Sequence, residues 1–260
     1  MLSFRHLRLT ALATTVVFAG ACSDSSTGPA PLQPADLSQV LAELQPSSLA
    51  ALNSQISAAP VAGLSAPVPS SCSYDAASKS FVCPNVSVTG VTVTRSFTLL
   101  DASGNPQSQF DQATTAAVNL KTTFAGTVVS GGTTLAIDQQ QDATVSGLLT
   151  GVHTLDGTSL GHVKGTVANG TITTPIASTI ATTINSLVLP QASTGPGRFP
   201  ASGTVAVNTS TTIGALPTVT QSATIAFNGT SKATVTVTAN GHTTTCTVDL
   251  SAQSATLCTV

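Results

Sequence analysis

From Ser71 to the end of the chain, apolar and hydroxyl-bearing side chains alternate with a period of two, and glycine-containing dipeptides interrupt the alternation at intervals. That rhythm predicts strand after strand, each with one apolar and one polar face, joined by tight turns. Asn240-Gly241 lies between Thr236-Val237-Thr238-Ala239 and His242-Thr243-Thr244-Thr245, and both turn residues tolerate the positive φ of a type I′ hairpin. In that register Val237 faces Thr244 and Val235 faces Cys246. Gly131-Gly132 sets Val128 against Leu135 and Gly126 against Ile137, while Asn169-Gly170 sets Val167 against Ile172 and Val163 against Ile176. Asn228-Gly229 and Asp156-Gly157 are further turn candidates. Each of the first three turns brings apolar residues onto a common face, which a wrong register would spoil. The implied strands are long, notably Val86 to Leu100, Ala116 to Ser130 and Thr133 to Leu149. Long strands joined by tight turns favour an antiparallel meander curled into an open or closed barrel. Ile176, Ile180, Ile184 and Leu187 also fit helical spacing, but the surrounding threonines place this segment with the strands. The expected fold is therefore all-β with a minor α component.

The helical component lies upstream. Asp36-Leu37-Ser38-Gln39 offers an acidic N-cap with Gln three residues on, ahead of Val40, Leu41 and Leu44 at helical spacing. A second amphipathic run follows Pro46 with Leu49, Leu52 and Ile56 on one face. These stripes are read as faces that pack on the sheet. The chain then divides into a leader (1–21), a polar tether (22–34), short helices with a Pro/Ala/Ser-rich loop (35–70) and an antiparallel β domain (71–260).

Arg5 and Arg8 precede an apolar run from Leu9 to Ala19, too short to span a bilayer and of the length of a secretory signal. The run ends at Ala19-Gly20-Ala21-Cys22, where small residues directly before a cysteine resemble the lipobox of bacterial lipoprotein signal peptides. The resemblance implies cleavage before Cys22, lipidation of that residue and attachment to the membrane through the lipid. Ser23 beside the lipidated position resembles the sorting signal for the outer membrane, so the implied address is the cell envelope, lipid-anchored. The mature domain resembles no family.

With Cys22 assigned to lipid, four cysteines remain of the five in the chain. In an exported protein they read as two disulfides. If Cys72 faces Cys83 across a hairpin, Tyr74 falls opposite Phe81 on the same face and Ala76 to Lys79 form the turn, a coincidence that selects this local pairing. Cys246 opposite Cys258 likewise puts Val248 and Leu250 on the cysteine face. Metal ligation would need clustered ligands at short spacing, and none is present in the sequence.

Composition narrows the function classes. Of eight basic residues two leave with the leader, so six basic face ten acidic side chains, and no basic patch remains to grip nucleic acid. Charge is sparse, yet the Val, Ile and Thr content and positive mean hydropathy argue for folded β-structure rather than disorder.

Candidate chemistry is thin. Gly157-Thr158-Ser159-Leu160-Gly161 matches the G-x-S-x-G pattern of nucleophile elbows and is followed by His162, but that chemistry needs a strand-to-helix turn, for which no helical pattern is present. His153 and His162 become diagonal neighbours if Asp156-Gly157 is a tight turn. Asp101-Ala102-Ser103-Gly104-Asn105 resembles a calcium loop but lacks its further carboxylates and reads as a hairpin turn. Asp138 and Asp142 fall on one strand face. No catalytic set and no cofactor follow from these residues. The expected function is that of a non-enzymatic envelope module, structural or interaction-mediating, whose partners are the membrane and a lipid or another envelope protein. The alternative is a carrier of a lipid or other apolar ligand, with Phe124, Val128, Leu135 and Ile137 facing that ligand.

Overall fold

The structure is a computed structural model and describes residues 71–88, 90–130, 132–169, 172–189, 199–239 and 241–250. Contacts divide the chain into Met1–Leu32 and Gln33–Val260, and every described residue belongs to the second unit. The expected helices, Cys22 and Cys258 lie outside the described residues.

Among the described residues there is no helix, and thirteen strands form one antiparallel sheet. They are β1 (Ser73–Asp75), β2 (Ser80–Val82), β3 (Val86–Val88), β4 (Val91–Asp101), β5 (Pro106–Gln107), β6 (Thr115–Ser130), β7 (Thr133–Ser146), β8 (Thr154–Asn169), β9 (Ile172–Val188), β10 (Ser202–Ile213), β11 (Val219–Phe227), β12 (Lys232–Ala239) and β13 (His242–Asp249). Neighbours in sequence are neighbours in space, apart from the short β3 and β5, which pair beside β4 off the main path. The meander is thus as the turn spacing predicts, including β9 over the segment with helical spacing. The path begins at β1 and ends at β13, so the sheet is not closed into a barrel.

Turn chemistry explains most registers. Val128 pairs with Leu135 and Gly126 with Ile137 around Gly132 at φ 80°; Val237 pairs with Thr244 and Val235 with Cys246 around Gly241 at φ 81°. Gly229, also at positive φ, marks the turn from β11 to β12. At the β8–β9 hairpin the pairing is displaced by two residues from expectation: Asn169 itself pairs with Ile172, so Val163 faces Ser178. A shift of two preserves the face each side chain occupies, which is why hydrophobic pattern alone did not discriminate the two registers. Two further expectations are corrected. Val86 to Leu100 is not one strand: β3 folds back on β4 at Gly90, φ 85°. Asp156-Gly157 is not a turn: it lies inside β8 at a register irregularity between Leu155 and Gly157, and the connection from β7 spans 147–153, with Gly147 and Gly151 at positive φ.

Paired residues share a face, so the registers sort every side chain of the main path. The apolar face carries two buried clusters. One runs from Ala143 and Val145 through Leu155, Ile184, Val205 and Ile225 to Val248; the other joins Phe97, Leu99, Val118 and Leu120 to Phe81 and the Cys72–Cys83 disulfide, and Leu148 packs against both. Each fully buried Leu, Val or Phe contributes roughly 1.5–3 kcal/mol through surface removed from water. Tyr74 meets Phe81 edge to face with centroids 5.3 Å apart, as the local disulfide register predicts. Cys246 is also disulfide-bonded and packs against the larger cluster. The buried residues lie at one end of the long hairpins, next to the 147–153 connection; towards the Gly132 end no residue of β6 or β7 is fully buried.

Candidate functional site

The G-x-S-x-G match sits in the middle of β8, and strand alternation separates its members. Ser159 is on the apolar face, where its Oγ accepts a hydrogen bond from Gln139 Nε2 at 3.1 Å. His162 is on the opposite face, with Nδ1 3.2 Å from Thr179 Oγ1. A serine and a histidine on opposite sides of one sheet do not form a nucleophile–base pair. His153 precedes β8 and is not placed across a hairpin from His162, because the Asp156-Gly157 turn that would have joined them is absent.

The other candidates resolve into local structure. Asp101 Oδ1 accepts from the Ser103 and Asn105 amides at 2.8 Å each, and Asn105 Nδ2 donates to Oδ2 at 3.0 Å. The Asn105 amide first, then the Asn105 side chain, hold this carboxyl below its ordinary value. Asp138 and Asp142 do share a face, the polar one; Asp142 pairs with Lys121 at 3.3 Å, and Asp138 is the cross-strand neighbour of His162. Among the described residues no group of three or more His, Cys, Asp or Glu could hold a metal ion.

The polar face also carries an open groove of about 400 Å³ across β9 to β12, whose lining residues include Thr179, Asn208, Ser210 and Ser222. It holds no charge. Threonine pairs such as Thr236–Thr245 and Thr238–Thr243, 3.2 and 2.9 Å apart, satisfy one another across this face.

The apolar face differs. Beyond the buried clusters, the register aligns Arg95, Thr122, Gln141, Ser159 and Thr182 in one row across β4, β6, β7, β8 and β9. The next row towards the Gly132 end is Val93, Phe124, Gln139, Gly161 and Ile180. Beyond it come Val91, Gly126, Ile137, Val163 and Ser178, and then Val128, Leu135, Gly165 and Ile176. The first row is thus a polar belt across a mainly apolar face, to which Gln139 and Ser178 add single polar positions. Phe124, Val128, Leu135 and Ile137 are brought together on it as expected; all four are half-buried and belong to neither core cluster. The belt itself escaped sequence reasoning, because its members come from five strands and only the registers align them. No family model matches the chain, and neither a curated protein nor a solved structure matches it.

Proposed function

We propose that the protein is a non-enzymatic module of the bacterial cell envelope, anchored by lipid at Cys22 and working through the apolar face of its sheet. The observation that carries this reading is the half-buried strip of Phe124, Val128, Leu135 and Ile137, apolar surface left outside both cores. Leaving it in water forgoes roughly 25 cal/mol per Å² that a partner or ligand would recover. The separation of Ser159 from His162 on opposite faces supports a role without nucleophilic chemistry.

A second reading, a carrier of a lipid or other apolar ligand, is favoured by Gly161 of β8. It falls on the same face as the strip, and a Cβ built there would make only ordinary contact with the Gln139 side chain, so the residue leaves room on that face. The test is to isolate the full-length protein from membranes, extract it with organic solvent and determine the mass of its N-terminus. A diacylglyceryl group on Cys22 is expected; a mature end elsewhere without lipid would overturn the anchor. Stoichiometric non-covalent lipid in the extract would support the carrier, and an empty protein that no amphiphile stabilises would leave the interaction module.

A further inference from the structure

The belt places a cation where the apolar face offers it no counter-ion. Arg95 lies on β4 between Val93 and Phe97 of the same face, and among the described residues it takes part in no ion pair, the pair found being Lys121–Asp142 on the other side. Its register partner Thr122 is only 5% exposed, and the Thr122 hydroxyl has no hydrogen-bond partner among the described residues. A buried hydroxyl without a partner is costly, and an incoming acceptor would relieve that cost. Gln141 stands next in the row, its neighbour Gln139 being turned onto Ser159. Cross-strand neighbours on one face have Cβ atoms about 5 Å apart. Guanidinium, hydroxyl and carboxamide thus come from three adjacent strands to one patch of donors.

What surrounds the patch defines the rest of the ligand. From Gln141 to Leu135 along β7 is six residues, about 20 Å of extended strand, and over that length the face carries Phe124, Ile137, Val163 and Leu135, interrupted by Gln139, whose amide is turned onto Ser159. Gly161 opens a gap in the row after Ser159: a Cβ built there meets only the Gln139 side chain, at 3.5 Å or more. An anionic end followed by a narrow, long apolar body is the chemistry of a single-chain amphiphile. A carboxylate suits Arg95 best because the guanidinium fork binds its two oxygens in parallel.

We propose that Arg95, Thr122 and Gln141 form the head-group site of a fatty acid whose chain lies along the β6–β8 face over Phe124 and Ile137 toward Leu135. The inference rests on the carrier reading and names its ligand. Arg95 and Thr122 donate to the carboxylate, Gln141 offers its amide beside them, and Gly161 gives the chain room to pass.

Calorimetric titration of the full-length protein with dodecanoate and with dodecanol separates the two claims. Dodecanoate should bind at least about tenfold more tightly than the alcohol, the worth of a charge-assisted hydrogen bond. Arg95→Gln should remove that difference by weakening the acid alone, and Thr122→Val should weaken the acid severalfold. Gly161→Val, whose first side-chain carbon fits without touching backbone, should weaken both probes about tenfold with the fold intact by circular dichroism. If acid and alcohol bind equally and Arg95→Gln changes neither, the head-group site is overturned while the carrier stands. If neither probe binds, and a photo-crosslinker at position 135 instead captures residues 36–56 of the same chain, the face is covered from within and both readings fall.

Discussion

Gly161 and Gly165 look alike in the sequence, four residues apart on the same face of β8, yet their surroundings assign them opposite roles. At Gly165 an added Cβ would lie 1.9 Å from the Thr134 carbonyl oxygen and 2.9 Å from the Leu135 Cα, so the β7 backbone itself would have to move. At Gly161 it would make ordinary contact with a flexible glutamine. Glycine inside a strand costs roughly 0.5–1 kcal/mol relative to alanine through backbone entropy, so Gly161→Ala should raise the urea midpoint by that equivalent. Gly165→Ala should lower it by about 2 kcal/mol, within the range that overpacking produces. Equal effects at the two sites would contradict the close approach of β7 and β8 at Thr134. No property of the residue type separates these glycines; only the distance between two backbones does.

Turns are where local sequence decided structure, and where it misled. The Asp101 turn is held by its own side chain, whose carboxylate accepts two backbone amides and the Asn105 amide group. A carboxyl whose pKa is lowered on folding stabilises the turn above its ordinary value of 3.8, and that contribution is lost as pH falls through the lowered folded value. Amide exchange followed by NMR should therefore show Ser103 and Asn105 losing protection on acidification below that value, ahead of Leu120 in the core. Retention of protection at those amides in Asp101→Ala would reject the carboxylate as the turn's fastener. Asn240-Gly241 and Gly131-Gly132 were legible because their conformational needs and the apolar pattern agree on one register. Asp156-Gly157 has the same chemistry, but Leu155 is buried in the core and Gly157 faces Ala143, so tertiary packing carries the strand on through the dipeptide, with a register irregularity against β9 in place of a turn. The disulfide hairpin was legible through the Tyr74–Phe81 pair. The belt was not, since Arg95 and Gln141 lie far apart in sequence and a two-residue slip in any hairpin between β4 and β9 would have dissolved the row.

At the scale of the whole sheet, burial is uneven along its longest strands. Leu120, Ala143, Leu155 and Ile184 of β6 to β9, with Val205 of β10, are buried at one end, whereas Val128, Leu135, Gly165 and Ile176, on β6 to β9 and the same face, are only half-buried. Both groups are paired in the ladder with neighbours on their strands, so backbone hydrogen bonding does not distinguish them. What differs is the apolar packing that opposes opening, and local opening energies range from near zero up to the global stability. Hydrogen–deuterium exchange of the ligand-free protein should therefore be roughly a hundredfold faster at Val128, Leu135, Gly165 and Ile176 than at Leu120, Ala143, Leu155, Ile184 and Val205. Adding dodecanoate should slow exchange in the first group and leave the second unchanged, because the proposed chain lies only over the half-buried part. Uniform protection along β6 to β9 without ligand would mean that the sheet opens as one unit, and the half-buried strip would then owe its order to the ladder alone. A gradient that dodecanoate leaves untouched would keep the asymmetry of the core and remove the fatty acid from it.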